Sequence, residues 1–365
     1  MSKIRINMLS KADSVEGQGV GSAYLELIKL LREGASELFD VTINSPKPAD
    51  IIHVHTVNPT YLMRIMNAKV PTVMYCHFLP ETLEGSIKLP PVLFKIFKKY
   101  VVDFYTTADY VVVVNPIFIE PLTKLGVSKE RIKYIPNFVS QENFFVEDDN
   151  KKKAVRDSLG IKEDAFVVLG VGQVQTRKGV HDFVEVAKKN PDVEFVWCGG
   201  FSFKGLTDGY KELKEVMDHP PANVRFLGIV PRAQMNDMFN MANVLFMPSY
   251  NELFPMAILE AANAHTPILL RNLDLYKDIL FGNYIAGENN DDFSHHVRHL
   301  KENADLYQAQ KEKSKAISDF YSRENVLEIW KDFYSGLHHD KEAIVSSRAK
   351  RIKETRTYRK NQKKK

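Results

Sequence analysis

Cysteine is scarce in this sequence of 365 residues, which carries two, Cys76 and Cys198, each inside an apolar run. Two separated cysteines argue against a disulfide framework and a cysteine-based metal site, and they are typical of a reducing compartment. Long apolar runs are also absent, because no stretch approaches the roughly 20 residues that span a membrane. No apolar run follows a basic start, so we predict no signal peptide and expect a cytoplasmic chain.

Patterns for metal ions and dinucleotides are missing as well. No Asp-x-Asp pair occurs in the chain. His53 and His55 alternate along an apolar run, but no cysteine or acidic residue stands at a ligand-like spacing, so we predict no metal site there. The stretch GQGVGS at 17–22 begins well after the first strand-like run, which ends near Leu9. That separation does not suit the tight strand–turn–helix unit of a nicotinamide-dinucleotide fingerprint.

The sequence does contain short β-type runs that alternate with helical patterns, over a length that favours two domains. Near-continuous Val and Ile runs are typical of strands buried on both faces of a parallel sheet. Apolar residues at Tyr24, Leu27, Ile28 and Leu31 have the spacing of one helix face. The strand-like runs lie at 4–9, 51–55, 70–77, 110–115 and 131–137, and then at 165–172, 194–200, 224–230, 244–249 and 266–271.

The charged stretch 141–160 interrupts this alternation, and we interpret it as a linker. We therefore predict an α/β fold of two doubly wound, Rossmann-like domains that face each other across a cleft. The predicted parts are an N-terminal domain at 1–140, a C-terminal domain at 155–325, a helix at 326–345 that packs back toward the first domain, and a basic tail at 346–365.

The net charge of +4 is unevenly distributed. Residues 348–365 hold ten Lys and Arg against one acid, Glu354, so the remaining body is mildly acidic. Such a tail is typical of an electrostatic arm, and an anionic membrane surface is the partner we expect. A solubilising end and a nucleic-acid-binding segment are the alternatives, although Tyr358 is the one aromatic residue there for base stacking.

The stretch GVGQVQTRKG at 170–179 predicts an anion site. Gly172 ends a strand-like run, and Arg177 and Lys178 follow just before the helical spacing that begins at Val180. Glycine allows a close approach of backbone to ligand, and a helix start with two cations attracts a diphosphate. The alternative is a glycine turn with two solvated charges.

The stretch ELFPMAILE at 252–260 predicts a second half of the same site. Pro255 suits the first position of a helix. Glu252 then lies just before the helix and Glu260 a little more than one turn inside it. Helical side chains tilt toward the N-terminus, so both carboxylates can reach one ligand and accept hydrogen bonds from sugar hydroxyls. Two unremarkable surface glutamates are the alternative.

Taken together, the motifs resemble those of the retaining glycosyltransferases of family 4, which have the GT-B fold of two Rossmann-like domains. The chain is more narrowly similar to the bacterial enzymes that add the second hexose to monoglucosyl-diacylglycerol and so build the glycolipid anchor of lipoteichoic acid. The resemblance covers essentially the whole chain. The motifs that carry it are GQGVGSAYLELIKLL, PTVMYCHF, YIPNFV, GQVQTRKGVHDF and ELFPMAILEA.

The resemblance implies a role for each matching residue. Lys178 binds the nucleotide diphosphate, Glu260 the ribose hydroxyls, and Glu252 the donor hexose. His77 lies at the donor sugar near the reaction centre. The predicted catalytic residues are therefore His77, Lys178 and Glu252, and the predicted nucleotide-sugar-binding residues are Gly19, Gly21, Gly172, Arg177, Lys178, Glu252, Phe254 and Glu260.

Three positions depart from the family pattern. Gln173 stands where an arginine is usual, and Arg177 is a candidate for the missing charge. Pro255 lies in a stretch that is often glycine-rich, and it removes one backbone donor. His265 replaces a glycine. These departures keep open a catalytically inactive, scaffold-like member of the fold.

The expected reaction moves glucose or galactose from a UDP-sugar to monoglucosyl-diacylglycerol, with retention, to give an α-linked diglycosyl-diacylglycerol. Metal-dependent enzymes of the other major glycosyltransferase fold use an Asp-x-Asp pair, and its absence predicts that no metal or other cofactor is needed. Transfer to diacylglycerol or to a non-lipid sugar is the alternative.

A lipid acceptor implies a membrane-facing N-terminal domain, peripheral on the inner face of the cell membrane. Residues 91–105 show an apolar stripe at helical spacing that is flanked by lysines. A basic amphipathic helix of this kind suits a membrane interface. The predicted interface residues are Lys95, Phe97, Lys98 and Lys99. An ordinary helix that packs its stripe on the core is the alternative.

Overall fold

The computed structural model describes residues 2–11, 19–79, 90–201, 209–252 and 254–362. The chain divides into two compact units. The first comprises Met1–Asn137 and Arg323–Lys365, and the second comprises Phe138–Ser322. Residues 138–154, which lie between or at the margin of the predicted domains, therefore belong to the second unit, and the C-terminal helices belong to the first.

The strands and helices alternate along each unit. The strands are β1 (Ile4–Leu9), β2 (Phe39–Ile43), β3 (Ile51–Val54), β4 (Thr72–Cys76), β5 (Tyr110–Val113), β6 (Ile132–Tyr134), β7 (Val167–Val171), β8 (Glu194–Cys198), β9 (Val224–Gly228), β10 (Val244–Met247), β11 (Ile268–Arg271) and β12 (Ile285–Gly287). The helices are α1 (Gly19–Gly34), α2 (Pro59–Met66), α3 (Pro91–Thr107), α4 (Ile119–Lys124), α5 (Asp149–Ser158), α6 (Val180–Lys189), α7 (Tyr210–Asp218), α8 (Met235–Met241), α9 (Met256–Asn263), α10 (Asp274–Leu280), α11 (Asn290–Glu302), α12 (Ala304–Phe320), α13 (Arg323–His339) and α14 (Lys341–Gln362).

Each unit is built on a parallel sheet. The first sheet has the order β2-β1-β3-β4-β5-β6, and the second has the order β12-β11-β10-β7-β8-β9. The strand order changes direction between β1 and β3 and between β7 and β10, which makes these the switch points where doubly wound sheets bind ligands. In the second unit, β7 and β10 lead at this switch point into the two stretches singled out in the sequence, 170–179 and 252–260.

Burial explains why the sequence forms these elements. The middle strands β4 and β10 are buried along their whole length, as expected for strands covered on both faces. The predicted helical stripe at Tyr24, Leu27, Ile28 and Leu31 is buried in α1. The stripe at Val180, Phe183, Val184 and Ala187 is buried in α6, within the core of the second unit. Both stripe predictions are confirmed.

The interpretation of 141–160 as a linker is wrong for half of that stretch, because α5 occupies 149–158. The side chain of Asp148 caps the helix by accepting from the backbone N–H of Lys151. Arg156 donates to the backbone oxygen of Met241 and to the side chain of Asn243. The helix is thus fixed by one buried apolar residue, Val155, and by arginine hydrogen bonds that hydropathy does not reveal.

The predicted basic tail at 346–365 is helical through residue 362 and is part of the first unit. Asp109 is fully buried and forms ion pairs with both Arg348 and Arg351. Arg359 pairs with Asp103 at 2.9 Å. A free, unstructured arm is therefore the wrong description for residues 348–359, because three of its cations are used to dock the helix.

Candidate active site

The loop after β7 is shaped by close packing at its glycines. A Cβ on Gly170 would lie 2.3 Å from Cε3 of Trp197, so this strand position accepts no side chain. The indole N–H of Trp197 donates to the backbone oxygen of Gly172 at 3.0 Å. These contacts hold the end of the strand against its neighbour and so fix where the following turn begins.

The turn that carries the two cations lies directly against the end of β10. Residues Thr176–Lys178 form a short 3₁₀ turn, and Gly179 follows with φ = +71°. A Cβ on Gly179 would approach the backbone oxygen of Pro248 to 2.4 Å. Only glycine satisfies both the left-handed backbone and this close approach. Helix α6 then begins at Val180, with its free N–H groups at the edge of the sheet.

Three successive contacts join this turn to the segment after β10. The backbone N–H of Tyr250 donates to the backbone oxygen of Arg177 at 2.8 Å. The Arg177 guanidinium donates to the backbone oxygen of Asn251 at 3.3 Å. Lys178 Nζ lies 2.5 Å from Glu252 Oε1. The structure therefore brings Lys178 and Glu252, predicted from two separate motifs, into direct contact.

The Lys178–Glu252 pair is largely buried. The side chains are 12% and 6% exposed, respectively. A buried charge is costly unless it is paired, so each side chain supplies the opposite charge that the other needs. The pair holds an ammonium group and a carboxylate at the switch point, where the ammonium can exchange its carboxylate partner for an anionic ligand.

Gln173, which stands at the position of the family arginine, and Arg177, the candidate for the missing charge, both make local contacts. Gln173 accepts a hydrogen bond from the Gln175 side chain at 2.7 Å. Arg177 is half-buried, and its Nε has no hydrogen-bond partner among the residues described. The substitution of Arg177 for the family arginine stays a prediction.

Glu260 has a cation partner that the sequence reading missed. Glu260 lies on α9 and is 5% exposed. Arg232 Nη1 lies 2.6 Å from Glu260 Oε1, and the guanidinium stands 5.1 Å from the ring centre of Phe144. The sequence could have indicated this partner, because Arg232 follows the strand-like run at 224–230 and thus lies at the carboxyl edge of the sheet. The structure pairs Glu252 and Glu260 with different cations, and their joint action on one ligand stays a prediction.

The start of α9 is fixed by Phe254 and Pro255. Pro255 occupies the position just before the helix, one residue earlier than predicted. The Phe254 ring is 6% exposed and packs edge-on against Tyr321, with ring centres 5.4 Å apart. Its ring therefore supports the helix start, and its assignment to donor binding stays a prediction.

In the first unit, His77 follows β4 in a column of stacked rings. His77 stacks on Tyr75 with ring centres 4.4 Å apart, and Tyr75 stacks on His55 at 5.1 Å. His53 continues the column and lies 2.7 Å from the Tyr334 hydroxyl on α13. Burial lowers the pKa of His77 to about 3 and that of His53 to about 3, and the pKa of His55 also lies well below its ordinary value. The column is therefore neutral at physiological pH.

Gly19 and Gly21 lie in the first turn of α1, the helix that follows β1 along the chain. Residues 12–18, which include Gly17 of the GQGVGS stretch, lie outside the described residues. The predicted approach of Gly19 and Gly21 to donor phosphates stays a prediction.

Helix α3 divides the predicted apolar stripe in two. Of the stripe residues, Val101 and Phe104 are buried, whereas Leu93 and Ile96 are 52% and 60% exposed. The predicted interface residues lie in different environments. Lys95 is exposed, Phe97 is half-buried, Lys98 lies over the Phe94 ring, and Lys99 pairs with Asp103. The core-packing alternative thus holds for the C-terminal half of the helix, and the N-terminal half presents apolar and basic side chains to solvent.

Metal sites and membrane-spanning helices were both expected to be absent. Within the described part of the chain, no group of three or more His, Cys, Asp or Glu side chains is arranged to hold a metal ion. No helix in the same residues is both long enough and apolar enough to cross a bilayer. Independence from metal and other cofactors stays a prediction.

Comparison with known protein families defines the class. Residues 20–143 match the model described as Glycosyltransferase Family 4, and residues 151–317 match that of Glycosyl transferases group 1. A relative that aligns with most of this chain, described below, supports the same class. The chain therefore belongs to the family 4 glycosyltransferases and is an enzyme of that class, as the motifs predicted.

Individual proteins that are similar to this chain include lipid glycosyltransferases. Alpha-galactosylglucosyldiacylglycerol synthase from Streptococcus pneumoniae is 46% identical over 91% of this chain and 89% of its own length. Processive diacylglycerol alpha-glucosyltransferase from Acholeplasma laidlawii is 26% identical over 78% of this chain and 84% of its length. Among solved structures, Anabaena HepE in complex with UDP and glucose is similar with a TM-score of 0.74, at 16% identity over 91% of this chain and 99% of that chain. The prediction of two Rossmann-like α/β domains of the GT-B type is confirmed.

Proposed function

We propose that this glycosyltransferase moves a hexose from a UDP-sugar to monoglucosyl-diacylglycerol, with retention, and forms an α-linked diglycosyl-diacylglycerol for a glycolipid anchor. The name of the 46% identical relative favours galactose as the transferred sugar. The structural observation that carries the proposal is the buried Lys178–Glu252 contact at the switch point of the second sheet.

The contact suggests how the donor is held. The diphosphate of a UDP-sugar would lie at the start of α6 and take Lys178 as its cation, because helix N-termini and lysines both favour phosphate. Because Lys178 would then share its hydrogen bonds with the diphosphate, Glu252 would be able to accept a hydrogen bond from a hexose hydroxyl. Glu260 would accept from the ribose hydroxyls while Arg232 compensates its charge at 2.6 Å.

The reaction would proceed on one face of the sugar. The acceptor hydroxyl attacks the anomeric carbon from the side on which the diphosphate leaves, so the α-configuration is retained. Negative charge grows on the leaving phosphate, and Lys178 stabilises that charge more in the transition state than in the ground state. The departing phosphate oxygen takes the proton of the acceptor hydroxyl. His77, held neutral by burial, would contribute at the donor sugar as a hydrogen-bonding group rather than as a cation.

The acceptor implies peripheral contact with a membrane. Leu93 and Ile96 are exposed on the N-terminal half of α3, and Lys95 and Lys99 accompany them. Apolar and basic side chains in this arrangement suit the headgroup region of an anionic bilayer. We assign the membrane-facing role to the first unit for this reason.

One assay tests the proposal. Purified protein is given UDP-galactose or UDP-glucose with vesicles that contain monoglucosyl-diacylglycerol, and UDP release and product linkage are determined. We expect an α-linked galactosyl product, and preference for UDP-glucose would revise the donor. Transfer to diacylglycerol, the acceptor class in the name of the Acholeplasma relative, would revise the acceptor. Absence of UDP release with both donors would contradict the proposal and favour a scaffold.

A further inference from the structure

Arg271 is a largely buried cation at the edge of the sheet in the second unit. It is the last residue of β11, and its side chain is 11% exposed. Strand β11 pairs with β10, and the segment that follows β10 contains Glu252. Ligands of parallel sheets bind beyond the carboxyl ends of the strands, so Arg271 lies at the edge that carries the candidate donor site. A buried arginine needs partners, and its partners indicate its role.

The Arg271 guanidinium binds the backbone of two loops at once. Its Nε donates to the backbone oxygen of Pro248 at 2.9 Å, and its Nη1 donates to that of Glu288 at 3.1 Å. Pro248 follows β10 and Glu288 follows β12, and these two strands flank β11 in the sheet. One planar group therefore links the loops on both sides of its own strand. The rigid fork of arginine donors suits such a bridge, whereas a lysine ammonium is a point charge without that geometry.

An acid and an aromatic ring fix the plane of the guanidinium. Asp182, in the first turn of α6, is largely buried and lies with its Oδ2 3.3 Å from Arg271 Nη2. The Arg271 Cζ lies 3.9 Å from the ring centre of Tyr250, well within the range of a cation–π contact. Arg271 therefore connects α6 with the segment after β10, residues 248–252.

The contacts of Arg271 continue into the turn that carries Lys178. The backbone N–H of Tyr250, whose ring covers the guanidinium, donates to the backbone oxygen of Arg177 at 2.8 Å. Lys178 is the next residue, and its ammonium contacts Glu252 at the end of the segment after β10. A shift of this segment would therefore move both charges of the pair. Displacements of about 1 Å at such a site can cost about a hundredfold in rate.

We propose that Arg271 is a positioning residue, which holds the segment after β10 so that Lys178 and Glu252 meet the donor in the productive geometry. It acts through the backbone oxygen of Pro248 and the ring of Tyr250 rather than by touching the donor. The inference rests on the proposed function, because it takes the Lys178–Glu252 pair as part of the donor site. It adds to that site a residue on β11, outside the two motifs that define it.

Calorimetric titration with UDP, without acceptor, and initial rates with UDP-sugar and glycolipid vesicles test the inference. Arg271→Gln should weaken UDP binding about tenfold, the order of affinity that a hydrogen bond to a charged group contributes. It should also raise KM for the UDP-sugar and lower kcat by about 10–100-fold, because both members of the pair are displaced. Arg271→Lys should behave like Arg271→Gln, since lysine keeps the charge but not the bridge. Wild-type affinity in Arg271→Lys would show that charge alone is needed and would overturn the inference.

Arg225→Gln is the matched control. Arg225 lies on β9 of the same sheet, and it pairs with Glu194 and donates to the backbone oxygen of Gly160, none of which belongs to the segment after β10. This variant should bind UDP and transfer hexose like the wild type. Equal losses in Arg225→Gln and Arg271→Gln would show a general effect on the unit and would overturn the positioning role.

Two further variants separate positioning from folding. Arg271→Gln leaves the Asp182 carboxylate without its cation and should melt at a lower temperature, whereas Arg271→Gln/Asp182→Asn should regain most of that loss and still bind UDP weakly. An affinity that returns together with the melting temperature would overturn the inference. Tyr250→Ala removes a half-exposed ring and leaves no buried charge unpaired, and it should weaken UDP binding about threefold. Unchanged affinity in that variant would contradict the role of the ring.

The inference and the proposed function fail in different ways. A wild-type protein that binds UDP but transfers no hexose would contradict the proposed function, while the titrations of the variants would still decide the role of Arg271. A wild-type protein that transfers hexose, together with an Arg271→Gln variant of unchanged UDP affinity and kcat, would overturn the inference alone.

Discussion

Replacing Lys178 with Met gives the sharpest test of the donor site. In the wild type, Lys178 Nζ lies 2.5 Å from Glu252 Oε1, and the Glu252 side chain is 6% exposed. The variant leaves that carboxylate buried without its partner, which costs about 3–5 kcal/mol of folding free energy. It also removes a preorganised cation from the leaving phosphate, and we expect kcat to fall by about 10²–10³.

A double variant separates these two effects. In Lys178→Met/Glu252→Gln no lone charge is left buried, so most of the lost stability should return, by roughly 2–3 kcal/mol. Activity should stay low, because the cation is still missing. Thermal melting and initial rates with saturating UDP-sugar and glycolipid vesicles measure the two quantities on the same preparations.

A surface pair of the same chemistry serves as the control. Lys188 Nζ lies 2.6 Å from Glu185 Oε1 on α6, but these side chains are 55% and 49% exposed. Lys188→Met should change neither rate nor melting temperature appreciably, because exposed pairs contribute about 0–1 kcal/mol. A Lys178→Met enzyme with near-normal kcat would refute the phosphate role, and so would a double variant whose activity returns together with its stability.

Three further outcomes are expected. Glu260→Gln should raise KM for the UDP-sugar about tenfold with little change in kcat, because a ground-state contact to ribose is weakened; an unchanged KM would contradict that contact. In the folded protein, burial keeps the pKa values of His53, His55 and His77 far below the ordinary 6.5, and these side chains are neutral. The unfolded chain therefore binds more protons than the folded chain as the pH falls below about 6.5. Denaturant titrations should show that the free energy of unfolding decreases by up to about 1.4 kcal/mol per pH unit for each histidine. His77→Gln should flatten that slope, and a slope equal to that of the wild type would count against the buried column. Transfer should persist in EDTA, and a rate that collapses there and returns with Mg²⁺ would disprove metal independence.

The sequence identified the central strands and placed the two motifs that carry Lys178 and Glu252 at one edge of a sheet, because both features obey local rules. The runs that became β4, β7 and β10 are mostly apolar, with Thr72 the polar residue of β4, and burial on both faces favours that pattern. The contact of Lys178 with Glu252 followed from two loops that leave adjacent strands at the same edge of a sheet. In a parallel sheet, loops that follow adjacent strands are neighbours, so this proximity can be predicted without information on distant packing.

The elements that were missed depend on partners far away in the chain. Strand β2 alternates between buried and exposed residues, and β12 has three residues, so neither forms the continuous apolar run that marks a central strand. Helix α5 is held by Arg156, which donates to Met241 and Asn243, 85 and 87 residues further along, as well as to nearby backbone oxygens. Arg232 acquires its role from Glu260 across the sheet edge. Such long-range pairings cannot be predicted from hydropathy and residue spacing alone.

The same reason explains the error at the C-terminus. Residues 348–365 are dense in cations, and composition alone suggests a solvated arm. Asp109 lies 239 residues before its partner Arg348, and Asp103 lies 256 residues before its partner Arg359. Asp109 is one of many acids in the sequence, and only the fold shows that it is fully buried and needs compensation.

The division of the chain has a consequence for its biosynthesis. The second unit is one uninterrupted segment, whereas the first unit needs α13 and α14 to be complete. On a ribosome, the middle of the polypeptide can therefore reach its native contacts while Asp109 still waits for Arg348 and Arg351 to emerge. An excised fragment that stops near residue 140 would carry a buried aspartate without its cations, so a stable recombinant form of this unit should join the early segment to the two late helices.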